Sequence, residues 1–370
     1  MRWPGLVRVI AEENLPVQRR LQGWSLPDFG AADLIVAPAS KDRARLANEA
    51  TGSNAVNLFS GIDAYPETYR TLKRLAGSRA MLGVMVEPGR HNDGWRALLR
   101  RFKHRGLAWR WRRRLDLVLA TGDLGCVWWQ SAGFPANKVF PFGYFTAQPD
   151  ENLSAGPVST SEKPVFRMLF VGQLIHRKGL DLLFHALSKV SDKKWALDII
   201  GKGPQEESYM QLAEKKGFNA RIYWWGALPN AQVLACMAQA DLFILPSRYD
   251  GWGAVVNEAL TMGTPVLASD ACGASCLLTA DWLGMTFSSE NTDSLVNALQ
   301  ECLARGPLPE NRRIQIRKWA KNSISPEAAA DYLIQILQRT GAQSSSSGLR
   351  PPWESVKQPP IDPPEKASYP

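Results

Sequence analysis

From residue 165 to residue 269, short apolar runs alternate with amphipathic stretches. "FRMLFVG" precedes "GLDLLFHALSKV", "WALDIIG" precedes "EESYMQLAEKK", "RIYWWG" precedes "NAQVLACMAQ", "DLFILP" precedes "GAVVNEALTM", and "PVLAS" closes the series. A run too short for a helix, followed by a helical period and repeated, predicts βαβ units and a parallel sheet. This half is therefore expected to be a doubly wound α/β domain that binds ligands at the carboxyl ends of its strands. The first half has a similar but weaker pattern, with strands expected at "LVRVIA", "ADLIVAP", "AVNLFSG", "AMLGVMVE", "LDLVLA" and "KVFPFG". Between the halves, "DENLSAGPVSTSEKP" (150–164) has no hydrophobic period and is expected to be a linker. Two α/β domains joined in this way imply a cleft, the default place for a site.

The helical pattern "SPEAAADYLIQILQRT" is expected to close the folded part, as a C-terminal helix over 326–340. The remainder, 341–370, holds seven prolines and four consecutive serines from Gln343 onward, too little apolar surface to offset ordering, so a disordered tail is expected. Composition agrees with two soluble domains: 370 residues, 45% hydrophobic, and no apolar run near the roughly 20 residues of a membrane span. The five scattered cysteines and the lack of a secretory pattern at the start predict reduced thiols in the cytoplasm. The net charge of +9 is one-sided: residues 1–150 carry 22 Lys plus Arg against 13 Asp plus Glu, and the rest carries 22 against 22. The first half is expected to face something anionic.

Three segments after the linker carry candidate chemistry. In "VGQLIHRKGLD" (171–181) a strand ends, and a loop containing Gly172 and Gln173 presents Arg177 and Lys178 at a helix entrance, an arrangement suited to a diphosphate. A solvated basic turn is the alternative. In "IIGKGPQEE" (199–207), Gly201 and Gly203 turn a strand into a helix, which alone is weak because such turns commonly use glycine. In "PSRYDGWGAVVNEAL" (246–260), Gly251 and Gly253 allow close backbone approach, and the N–H groups of Ala254 and Val255 open a helix. Asp250 precedes that helix and Glu258 lies about one turn into it, so the two acids can touch different parts of one elongated ligand. The bland alternatives are a capping role for Asp250 and a solvated helix position for Glu258.

These residues resemble the nucleotide-sugar-binding domain of retaining glycosyltransferases of family 4, which have the GT-B fold. The resemblance covers about residues 165–305 through "FVGQLIHRKGLDLL", "IIGKGP", "WWGALPN", "ADLFILPSRYDGWGAVVNEALTMGTPVLASD" and "GMTFSSENTDSLVNAL", in that order. It implies two Rossmann-like domains facing across a cleft, with the acceptor side in 1–149 and the donor side in 165–325. It also implies that Glu258 binds the donor ribose, Asp250 the transferred sugar, and Lys178 with Arg177 the diphosphate, helped by the backbone from Gly253 to Val255. The sequence departs from the family in three places: Asp250 replaces the usual glutamate, Trp252 the usual phenylalanine, and Gln173 a common arginine. The first half resembles the family only loosely, through "RRLDLVLATGDLGCVWWQSAGFPANKVFPFGYF". Members often have a catalytic-region histidine where Glu87 stands here, with His91 four residues later; which of the two faces the sugar is open. "MRWPGLVRVIAEENLP" looks like the family's second strand, so a first βα unit replaced or encoded upstream is expected.

The implied activity is retaining transfer of a hexosyl-type group from a nucleotide-diphosphate sugar to the hydroxyl of a saccharide or lipid-linked acceptor, in bacterial cell-surface polysaccharide or glycolipid synthesis. The sequence has no Asp-x-Asp pair, and neither a metal nor a cofactor is expected. A nucleotide-sugar epimerase of the same fold and an inactive homologue with an assembly role are the rival classes. "RALLRRFKHRGLAWRWRRRLD" (96–116) interleaves tryptophans with arginines. This segment fits either a helix that meets an anionic membrane at the inner face of the cell through Arg100 to Arg114, or a solvated basic helix whose Leu98, Leu99, Phe102 and Trp109 face the core. Nucleic acid is the weaker partner.

Overall fold

The computed structural model describes residues 5–14, 30–90, 94–147, 165–191, 194–342 and 348–354. Every strand expected from the sequence forms. In the first half, β1 (Arg8–Ala11) pairs in parallel with β2 (Asp33–Val36). A second parallel sheet has the order β3 (Val56–Ser60), β4 (Met81–Val86), β5 (Leu117–Thr121), β6 (Val139–Phe142). The linker expected at 150–164 lies outside the described residues. A cavity of about 1660 Å³ separates β1 from β3, lined by Val7, Ile10, Leu58 and Phe59, with Leu333 and Leu337 from the C-terminal helix.

The second half is one parallel sheet of six strands: β7 (Phe166–Val171), β8 (Trp195–Ile200), β9 (Ile222–Gly226), β10 (Leu242–Leu245), β11 (Val266–Ser269) and β12 (Gly284–Phe287). Their order in space is β12-β11-β10-β7-β8-β9. Helices cover both faces, which is why these strands are almost wholly apolar and do not alternate. Along β7, Met168 and Phe170 enter one core cluster and Leu169 enters the other, on the opposite face of the sheet. The order reverses between β7 and β10, so the chain leaves these adjacent strands toward opposite sides and opens a crevice at their carboxyl ends.

The C-terminal helix spans Pro326–Gly341, with proline in the first turn and a Ser325 side chain that accepts from Ala328 N–H. It packs across the first half: Tyr332, Ile336 and Leu337 cluster with Leu117, Leu119, Phe140 and Phe142. The expectation of a disordered tail does not hold at Gly348–Glu354. Trp353 is buried in the second half, its ring 6.2 Å from those of Trp252 and Phe145. One tryptophan adds enough apolar area to hold this short segment down, which a composition average conceals.

Candidate active site

The loops after β7 and β10 meet at the point where the strand order reverses. Gly179, with φ of 72°, starts the helix Leu180–Lys189, and a Cβ there would lie 1.9 Å from Pro246 O. Only glycine permits both the left-handed backbone and this approach. Arg248 fastens the loops: it donates to Asp181 at 2.6 and 2.8 Å and to His176 O at 2.7 Å. Lys178 Nζ then forms an ion pair with Asp250 Oδ2. Arg177 donates to Tyr249 O at 2.9 Å and lies 3.7 Å from Asp250 Oδ1. Two cations and one acid thus occupy the head of the crevice, all three part-buried.

Gly253, with φ of 94°, begins the helix Ala254–Thr261, whose first N–H groups are those of Ala254 and Val255. Glu258 lies on this helix, and burial pushes its carboxyl up to about 7. Trp252 is buried and donates to Asn257 Oδ1 at 2.8 Å, giving the indole the partner a buried N–H needs. Gly201 and Gly203 approach the β7 loop so closely that a Cβ would meet Gly172 O at 1.8 Å and Leu174 O at 2.4 Å, respectively. Gln173 is exposed beside them.

The first half closes onto the same loop. Thr121 Oγ1 donates to Gly251 O at 3.0 Å, Tyr249 O–H donates to Pro88 O at 2.5 Å, and Asn257 Nδ2 donates to Tyr144 O at 3.0 Å. The Glu87 carboxylate accepts from Tyr144 O–H at 2.8 Å and rests against Gly251, where a Cβ would be 2.1 Å from Glu87 Oε2. Burial and then the Glu87 charge raise the Tyr144 phenol well above its ordinary range, so it remains a donor. Of the two acceptor-side candidates, Glu87 is placed in the cleft; His91 lies outside the described residues.

The sequence analysis expected Lys178 and Asp250 to touch different parts of one ligand, at glycine loops that the fold places side by side. Here they neutralise each other. It passed over Tyr249, Asn257, Thr121 and Tyr144. The first two stand directly beside Asp250 and Glu258, so polar neighbours of the named acids were the available signal. Among the described residues, no three His, Cys, Asp or Glu side chains gather to hold a metal ion.

Residues 157–323 match the family model described as glycosyl transferases group 1. Among curated proteins, the chain is 23% identical to an alpha-D-kanosaminyltransferase of Streptomyces kanamyceticus over 57% of each chain. It is 27% identical to a GDP-mannose-dependent alpha-(1-6)-phosphatidylinositol monomannoside mannosyltransferase of Mycolicibacterium smegmatis, over 43% of this chain and 44% of that one. The chain spans about half the length of the curated relatives it matches. Among solved structures, Anabaena Alr3699/HepE in complex with UDP superposes with a TM-score of 0.62 at 18% identity, covering 83% of this chain and 86% of that one. The fold is GT-B, with two Rossmann-like domains.

Proposed function

We propose that this protein is a retaining glycosyltransferase of family 4 that moves a hexosyl group from a nucleotide-diphosphate sugar to an acceptor hydroxyl, without a metal. The observation that carries the proposal is the convergence of Lys178, Arg177, Asp250 and the helix opened by Gly253 at one end of the β7–β10 crevice. When the bond to the diphosphate breaks, negative charge grows on the leaving phosphate. Lys178 and Arg177, with the N–H groups of Ala254 and Val255, stabilise that charge as it develops. Binding of the diphosphate draws Lys178 away from Asp250, which releases that carboxylate to accept from hydroxyls of the transferred sugar.

Glu258, near one turn into the same helix, takes the ribose hydroxyls. On the opposite wall, Glu87 and Tyr144 face the sugar and the incoming acceptor. Thr121 and Tyr249 hold the two walls together at Gly251 and Pro88, which keeps water from the reactive centre. A lipid-linked or saccharide acceptor in bacterial cell-surface polysaccharide or glycolipid synthesis fits this reading. Relatives named as a phosphatidylinositol monomannoside mannosyltransferase and an O-antigen biosynthesis glycosyltransferase support it.

The test is saturation-transfer NMR with a panel of nucleotide sugars, followed by incubation of the bound donor with and without saccharide and lipid-linked acceptors. The expected result is release of nucleoside diphosphate that depends on an acceptor, with the anomeric configuration kept in the product. Epimerised donor formed without any acceptor identifies an epimerase instead. Donor binding with no turnover on any acceptor identifies an assembly role.

A further inference from the structure

The helix Trp95–Trp111 has a second apolar face turned away from the protein. Its inward side is settled: Ala97, Ala108 and Trp111 are buried, and His104 stacks on Trp129 at 4.6 Å. On the other side Trp95, Leu98, Leu99, Phe102 and Trp109 are 66%, 56%, 57%, 67% and 73% exposed. At 3.6 residues per turn these five fall within about 100° of arc, together with Gly106. The sequence alternative in which Leu98, Leu99, Phe102 and Trp109 face the core is thereby overturned. A fully solvated helix would place its charges there instead.

The charges stand on the two flanks of this face. Arg96, Arg100, Lys103 and Arg110 lie on one side, Arg101 and Arg105 on the other, and the helix has no acidic residue. Lys103 pairs with Asp63 at 2.7 Å, and the Arg100 guanidinium donates to Arg90 O. The whole excess of positive charge in the chain belongs to this half. Tryptophan and phenylalanine between two basic rows are suited to a boundary where hydrocarbon meets phosphate, and not to a purely aqueous one. No helix among the described residues is long and apolar enough to cross a membrane.

We propose that the Trp95–Trp111 helix is a docking surface for an anionic lipid bilayer, lying in the plane of the headgroups with Trp95, Leu98, Leu99, Phe102 and Trp109 inserted and the flanking arginines on lipid phosphates. This surface does not depend on the donor site. If the transferase reading holds, it brings the cleft to a lipid-linked acceptor.

The experiment is flotation of the full chain with phosphatidylcholine vesicles, with and without phosphatidylglycerol, at low and high salt. The native chain is expected to float only with the anionic vesicles and to be released by salt. The double variant Phe102→Glu, Trp109→Glu, both at exposed positions, is expected to bind about tenfold more weakly or less. Arg105→Glu with Arg110→Glu, which alters only exposed charges, is expected to do the same and guards against misfolding of the first variant. No flotation of the native chain at low salt overturns the proposal, as does undiminished flotation of both variants. Sedimentation velocity showing self-association that Phe102→Glu, Trp109→Glu abolishes, without vesicle binding, assigns the face to a second copy and equally overturns it.

Discussion

Lys178 and Asp250, 72 residues apart in sequence, form an ion pair over the carboxyl ends of two adjacent strands. The pair joins the two loops that the reversal of strand order brings together, so it marks the crevice; under the proposed function its lysine is the cation that meets the donor's phosphate. Lys178→Ala is expected to lower turnover by about 10²–10³, the range found when a single group stabilising developing charge is removed. Steady-state kinetics beside a thermal melt check this; an unchanged kcat removes Lys178 from the chemistry.

Glu258 is expected to affect stability and, under the proposed function, donor binding with opposite dependence on pH. Its carboxyl is raised from 4.5 to about 7 by burial, so the folded state holds more protons than the unfolded one between those values. The contribution to stability is complete below pH 4.5 and is lost as pH rises through about 7. Glu258→Gln should therefore melt higher than the native protein at pH 8, by on the order of 2–4 °C per kcal/mol gained, and alike near pH 4.5. Donor affinity of the native protein should rise from pH 6 to pH 8 as the carboxylate forms, and the variant should bind weakly with a flat profile in calorimetric titrations.

His104 acts in the other direction. It accepts from Trp128 Nε1 at 2.7 Å, and its pKa is lowered from 6.5 to about 4 by burial first, then by Lys103 and Arg100, against the opposing charge of Asp63. A depressed folded pKa means stability that is present above 6.5 and lost as pH falls toward 4. His104→Gln, which keeps an acceptor for Trp128, should flatten the fall in melting temperature over that window. An identical acid profile would remove His104 as its source.

Trp353→Ala should destabilise the protein by about 3–5 kcal/mol, the usual cost of emptying a buried tryptophan site. Chemical denaturation followed by tryptophan fluorescence reads the loss. A stability equal to that of the native chain would show that the segment Gly348–Glu354 does not hold to the Trp252 and Phe145 rings.

Every strand but β12 was legible in the sequence as a short apolar run before a helical period; β12, Gly-Met-Thr-Phe with three of its four residues not fully buried, has no such run to show. The glycine positions were equally legible: Gly179 and Gly253 adopt left-handed φ values that other residues resist. The outward face of the Trp95–Trp111 helix was not. Its inner and outer sides are both apolar, and periodicity cannot say which of two apolar sides meets the core.

The sequence alone thus determined the parallel α/β architecture and the local turns, since these follow from residue spacing and backbone sterics. Tertiary structure alone decided which groups meet. The Lys178–Asp250 pair, the contact of Glu87 with Gly251 and the burial of Trp353 all join segments distant in the chain. Such contacts depend on strand order and on how the two halves close, and local periodicity carries neither.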